Sequence, residues 1–192
     1  MNIISRRLKE SIAVKQLIIE DVELQKKIES SIDTILECLR NGGSVYFCGN
    51  GGSAADAQHL AAELSGRFYF DRQPLSADAL HCNTSFLTAV ANDYSFNMVY
   101  SRLISGIGRA GDVLVGLSTS GNSENIVKAF EKSKELGLKT IAFTGESGGK
   151  LKQLADITIN VPSSDTPRIQ ESHITIGHII CEVIEEKMFG KK

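Results

Sequence analysis

A chain of 192 residues that is 42% hydrophobic and 23% charged, with no Trp and three Pro, has the make-up of one globular domain rather than a fibrous or low-complexity protein. A net charge of −2 and a pI near 6.1 leave no basic footprint for nucleic acid or an anionic membrane. Cys38, Cys48, Cys82 and Cys181 form no CxxC pair, and the chain has neither a hydrophobic leader nor a run of ~20 apolar residues, so we expect reduced thiols, a cytoplasmic location and no membrane contact.

Residues from about Ile3 to Arg40 read as helix, with Ile28, Ile32, Ile35, Leu36 and Leu39 at three- and four-residue spacing and Asn41-Gly42-Gly43 as the stop. Leu8, Ile12, Leu17, Ile18, Ile19, Val22 and Leu24 make its first part apolar over a broad arc, which either packs across the rest of the chain or meets another subunit; we favour the subunit contact. Beyond it, short apolar runs alternate with helical stretches. Strands are expected at Ser44–Cys48, Leu75–Leu80, Asp112–Leu117, Lys139–Phe143 and Asp156–Val161. Helices are expected at Ala54–Leu64, Thr84–Ile107, Ser123–Leu136, Lys150–Leu154 and Arg168–Met188. Such alternation gives right-handed βαβ units, hence a three-layer α/β fold with a parallel five-stranded sheet. The expected organisation is one domain over residues 1–192, with a helical extension at 1–41 and an α/β core at 42–192. Ligands of such a sheet bind beyond the carboxyl ends of its strands, just after Cys48, Leu80, Leu117 and Phe143.

The loop after the first strand, Gly49-Asn50-Gly51-Gly52-Ser53-Ala54, fits G-x-G-x-x-A. A dinucleotide site also needs an acidic residue at the end of the second strand, and His81-Cys82-Asn83 stand there instead, so no nucleotide cofactor is expected. The glycines still permit close backbone approach to a sugar, while the plain alternative is a tight turn capped by Ser53. After the Asp112–Leu117 strand comes Ser118-Thr119-Ser120-Gly121-Asn122-Ser123, four hydroxyls at a helix start, where N–H groups and the positive dipole end cradle a phosphate. A Ser/Thr turn with Ser123 as N-cap needs only one of those hydroxyls.

His59 and Glu63, four apart, share a helical face directly behind the glycine loop, where they suit metal ligation or general-base work better than a chance surface contact. The last helix carries Gln170, His173 and His178, with His173 read as structural or solvated. Gln170 and His178 are eight residues and roughly 12 Å of helical rise apart. Either both lean toward one ion or neighbouring subunits supply different ligands. Asn92-Asp93 fits a contact to sugar hydroxyls and an Asx turn equally well.

With these residues in place, the chain resembles the phosphoheptose isomerases of the SIS (sugar isomerase) family. The resemblance is carried by CGNGGSAADAQHLAAEL from Cys48, AND from Ala91, GDVLVGLSTSGNSENIVKA from Gly111, FTGESGG from Phe143 and RIQESHITIGHII from Arg168. It implies a flavodoxin-like SIS fold and conversion of sedoheptulose 7-phosphate to D-glycero-D-manno-heptose 7-phosphate, the first step toward ADP- or GDP-heptose precursors of bacterial surface glycans such as lipopolysaccharide or capsule. By the same resemblance, Glu63 is the base that moves a proton between C1 and C2 through an enediol, and His178 is its acid/base partner. Asn50, Gly51, Gly52, Asn92 and Asp93 hold the sugar, Ser118, Thr119, Ser120 and Ser123 take the phosphate, and Gln170 also meets substrate. His59, Glu63, Gln170 and His178 match the family's zinc ligands, and a homotetramer with active sites at subunit interfaces is implied. Zinc ligation depresses a carboxylate's pKa, so a metal-bound Glu63 is a weaker base; the metal then organises the site or leaves as substrate binds. Related SIS proteins that bind the replication initiator, or that sense sugar phosphates, are the alternative class, and they have no need of Glu63 and His178 together.

Overall fold

The computed structural model describes residues 2–190. Two helices open the chain, α1 (Ile3–Glu20) and α2 (Val22–Arg40), where the sequence pattern reads as one. The break is at Asp21, whose carboxylate accepts the Leu24 N–H at 2.9 Å and so starts a new helix inside an unbroken apolar pattern. The core then runs β1 (Val45–Gly49), α3 (Gly52–Ser65), β2 (Ala77–Ala79), α4 (Thr84–Asp93), α5 (Val99–Ile107), β3 (Val113–Leu117), α6 (Glu124–Leu136), β4 (Lys139–Thr144), α7 (Leu151–Leu154), β5 (Ile157–Asn160) and α8 (Thr166–Phe189). The helical stretch expected over Thr84–Ile107 is interrupted: α4 ends at Asp93, and a 3-10 turn at Phe96–Met98 precedes α5. Asn92, Asp93 and Ser95, whose side chains compete for backbone hydrogen bonds, cluster at that interruption.

All strand pairs are parallel and the spatial order is β2-β1-β3-β4-β5, the flavodoxin-like arrangement. Strand side chains alternate between two cores. Val45, Phe47, Val113, Val115, Ile141 and Phe143 pack under α2, α3 and α8, whereas Cys48, Leu114 and Ala142 face α5, α6 and α7. Connections leave β1 and β3 in opposite directions, so a crevice opens between the loops that follow these two neighbours.

On the first face α3 and α8 run side by side in the same direction. Gly52 meets Gln170, Leu60 meets Gly177, and Leu60 O lies 3.9 Å from Cys181 Sγ. Gly177 makes this spacing possible, because a Cβ there would stand 2.5 Å from Leu60 Cδ1. Outermost is α1, held to α8 by the Arg168 guanidinium donating to Arg7 O at 3.1 Å. None of its described residues is buried, and Ile4, Leu8, Ile12 and Ile19 remain exposed. No helix among the described residues is long and apolar enough to cross a membrane.

Candidate active site

The glycine loop follows β1 into α3. Gly51 has φ +55°, a conformation that disfavours side chains, and this turns the chain so that α3 begins at once. Gly49 O accepts from the Tyr100 hydroxyl. The Asn50 carboxamide exchanges two hydrogen bonds with that of Asn125, at 2.9 and 2.8 Å, and Asn125 is buried in the first turn of α6. This pair stitches the loop after β1 to the loop after β3 across the switch point. The pattern reading missed Asn125 because its partner lies 75 residues away.

Past β3, Ser118 is buried and its Oγ lies 3.1 Å from Ser123 Oγ. Ser123 occupies the N-cap position of α6, yet its side chain caps nothing, so the plain capping role does not consume this hydroxyl. Thr119 and the exposed Ser120 border an open cavity of about 280 Å³ that also meets Gly145, Ser147 and Ser163. First-turn N–H groups of a helix lack intrahelical partners, so the start of α6 offers donors beside the Ser118–Ser123 pair.

Along the seam between α3 and α8, His59, Glu63 and His178 come together within a single chain, their ligating atoms all within 4.8 Å of one another. His59 Nε2 lies 2.9 Å from His178 Nε2 and 3.2 Å from Glu63 Oε1. The Phe68 ring leans over His178, with centroids 6.0 Å apart. Two imidazole nitrogens and a carboxylate oxygen are the donor set that zinc takes, and the convergence of both Nε2 atoms on one point fits such an ion. Gln170 is held at the other end of the seam. Its amide lies over Gly52, so close that a Cβ at Gly52 would stand 2.1 Å from Gln170 Nε2. Asn92 and Asp93 are exposed at the end of α4, where Asn92 Nδ2 donates to Asp93 Oδ1 at 2.9 Å.

Between the two ends of the seam stands Asp56, one helical turn before His59, beside a cavity of about 270 Å³ that it shares with Gln170, Glu171 and Ile174. Its Oδ2 is buried without a hydrogen-bond partner, and burial raises its pKa against the opposing pull of His59 and His178. The i, i+3 spacing from His59 was visible in the sequence and marks it as a further polar group of the site. His173 points the other way: it is fully buried, its Nε2 lies 3.1 Å from Thr144 O, and burial pushes its pKa down to about 4. It belongs to the core.

The SIS domain family matches residues 12–145 of the chain. A phosphoheptose isomerase of Clostridium acetobutylicum is 48% identical over 191 residues, covering 100% of this chain and 97% of that protein. One from Helicobacter pylori is 51% identical over 184 residues, covering 95% of this chain and 96% of its own. Among solved structures, phosphoheptose isomerase GmhA from Neisseria gonorrhoeae superposes with a TM-score of 0.90 at 44% identity, covering 95% of this chain and 97% of that one.

Proposed function

The chain belongs to the phosphoheptose isomerases of the SIS family and is an enzyme, and from that premise we propose that it interconverts sedoheptulose 7-phosphate and D-glycero-D-manno-heptose 7-phosphate with Glu63 and His178 as the reacting pair. The observation that carries this reading is the convergence of Glu63, His59 and His178 at one end of a seam whose other end, at Gly52 and Gln170, follows the loop that Asn50 ties to Asn125 in the first turn of α6.

The phosphate is held by Ser118, Thr119, Ser120 and Ser123 with the N-terminus of α6, far from the reacting carbons. Its binding energy fixes the reacting end in place. Asn50, Gly51 and Gly52 line the sugar between, and Gln170 and Asp56 face the same groove. In the open-chain ketose, the Glu63 carboxylate removes a proton from C1. The electron pair forms the C1–C2 double bond, and the C2 carbonyl oxygen takes a proton from His178. The resulting enediol gives its O1 proton back to His178, and Glu63 returns its proton to C2, leaving an aldehyde at C1. C1 is oxidised and C2 reduced within one molecule, so there is no net redox change and the reaction needs no nicotinamide.

We further propose that His59, Glu63 and His178 hold a zinc ion, with Gln170 joining only if its amide leaves Gly52. Such an ion, when bound, would hold the three side chains in place, and it would have to leave before Glu63 and His178 exchange protons with the substrate, because a ligated carboxylate is a weaker base and a ligated ring nitrogen has no free proton site. The exposed apolar arc of α1 and a cavity of about 590 Å³ lined by Ile18, Ile28, Ile32, Ile176 and Ile179 support a homotetramer in which Asn92 and Asp93 approach a neighbour's site. The product would feed nucleotide-activated heptose for surface glycans. Turnover of sedoheptulose 7-phosphate tests the reaction; a monomer by light scattering would overturn the assembly.

A further inference from the structure

The segment between α3 and β2 encloses the most buried ion pair among the described residues. Arg72 and Glu185 have side chains only 2% and 1% exposed, and Arg72 Nε donates to Glu185 Oε1 at 2.8 Å. The remaining guanidinium donors reach the end of α3: Nη2 donates to Glu63 O at 2.9 Å, and Nη1 to Leu64 O at 2.8 Å and Gly66 O at 3.2 Å. A cation at a helix C-terminus is also favoured by the dipole. The Phe189 ring covers the outer side, 5.4 Å from Arg72 Cζ. Glu185, on α8, accepts in addition the N–H groups of Phe68 and Phe70, at 2.8 and 2.9 Å, and that of Tyr69. Burial alone would raise its pKa, but these donors and Arg72 outweigh it, so the carboxylate stays charged.

Each end of this network leads to the reacting pair. Arg72 grips the backbone carbonyl of Glu63 itself. Glu185 lies two helical turns beyond His178 on α8, and through the N–H of Phe68 it fixes the ring that leans on His178. Buried ion pairs contribute little net stability compared with apolar replacements, so energy does not explain why charge is spent here. Geometry does.

We propose that Arg72 and Glu185 are positioning residues that set the placement of Glu63 against His178, acting through the α3 terminus and the Phe68 backbone. The inference rests on Glu63 and His178 being the reacting pair. Both side chains are closed off from solvent, so each acts through the groups it holds. Misplacing reacting groups by about 1 Å costs on the order of 100-fold in rate, whereas the phosphate anchor lies at the far end of the site.

The test uses full-length protein carrying Arg72→Lys, or Arg72→Met together with Glu185→Leu. Melting temperature, kcat and KM are measured, along with the imidazole NMR signals of His178 in metal-free protein, assigned with His178→Gln. Arg72→Lys is expected to lower kcat by about 10- to 100-fold with little change in KM, and to shift the His178 signals. The double variant, which leaves no orphaned charge but strands the N–H groups of Phe68, Tyr69 and Phe70, is expected to regain part of the melting temperature but neither kcat nor the wild-type His178 signals. Recovery of kcat together with stability would overturn the proposal, as would Arg72→Lys with wild-type kcat and signals. Should the double variant fail to fold, Arg72→Lys decides alone. If the wild-type protein proves unable to isomerise the sugar, the function reading falls by itself. The His178 signals then decide positioning: unchanged signals in folded variants refute it, and shifted ones uphold it.

Discussion

Substituting Gly177 by Ala is expected to separate turnover from stability. The new Cβ would sit 2.5 Å from Leu60 Cδ1, 2.7 Å from Cδ2 and 3.1 Å from Cγ. Carbon atoms pack at about 3.5–4.0 Å, so α3 and α8 must part by about 1 Å. Leu60 has no room to turn aside, being 1% exposed. Overpacking of this kind costs about 1–3 kcal/mol, and Ala recovers about 1 kcal/mol of helix propensity over Gly. The net loss is therefore about 0–2 kcal/mol, a fall in melting temperature of no more than about 8 °C. Catalysis has no such offset. His59 and His178 are the immediate neighbours of Leu60 and Gly177, so the parting loads directly onto their 2.9 Å contact. We expect kcat to drop by about 100-fold. Thermal melts and steady-state assays on the same preparation give both quantities. Adding Leu60→Ala removes the colliding atoms, and turnover should return although the cavity lowers stability by about 2–5 kcal/mol. Wild-type kcat in Gly177→Ala, or a loss that Leu60→Ala leaves untouched, would refute the reasoning.

Replacing Asn125 by Leu removes both amide bonds to Asn50 and strands a polar group, so urea denaturation should show a loss of about 1–3 kcal/mol together with a raised KM. Ser120→Asp places a negative charge in the phosphate cradle; KM should rise about 10-fold or more while kcat at saturation holds, and equal changes in both would argue against a phosphate there. His173 supplies a pH prediction. Its folded pKa of about 4 lies below the ordinary value of 6.5, so the unfolded chain binds more protons below pH 6.5, and stability falls as pH drops from there toward 4. Between pH 7 and 5.5 this amounts to about 1 kcal/mol, and the difference should vanish in a folded His173→Gln variant.

Much of the scaffold could be read from the sequence because its physics is local. Runs such as Val113–Leu117 bury both faces of a parallel strand, and the helix between Ser123 and Gly137 carries its stop signal beside it. The breaks at Asp21 and after Asp93 were hidden, since a capping carboxylate inside an uninterrupted apolar pattern looks the same as a surface residue. The site divides along the same line. His59 and Glu63 share one turn and announce themselves by spacing, and four hydroxyls in six residues do so by density. His178 meets His59 across 119 residues, so the pattern offered it as a ligand without showing which residues it joins. The expected 12 Å rise between Gln170 and His178 is laid out along the seam, with one residue at Gly52 and the other at His59. Arg72 and Glu185 sit 113 residues apart, and no periodicity marks either.

The most direct test of the central claim is proton NMR of sedoheptulose 7-phosphate incubated with wild-type protein and, in parallel, with Glu63→Gln. Glutamine keeps the shape of the side chain and cannot take the C1 proton. Anomeric signals of an aldoheptose phosphate should grow with the wild type and stay absent with the variant at unchanged melting temperature. Product formed at the wild-type rate by Glu63→Gln would contradict the assignment of Glu63 as the base, and no product from the folded, zinc-supplied wild type would contradict the proposed reaction itself.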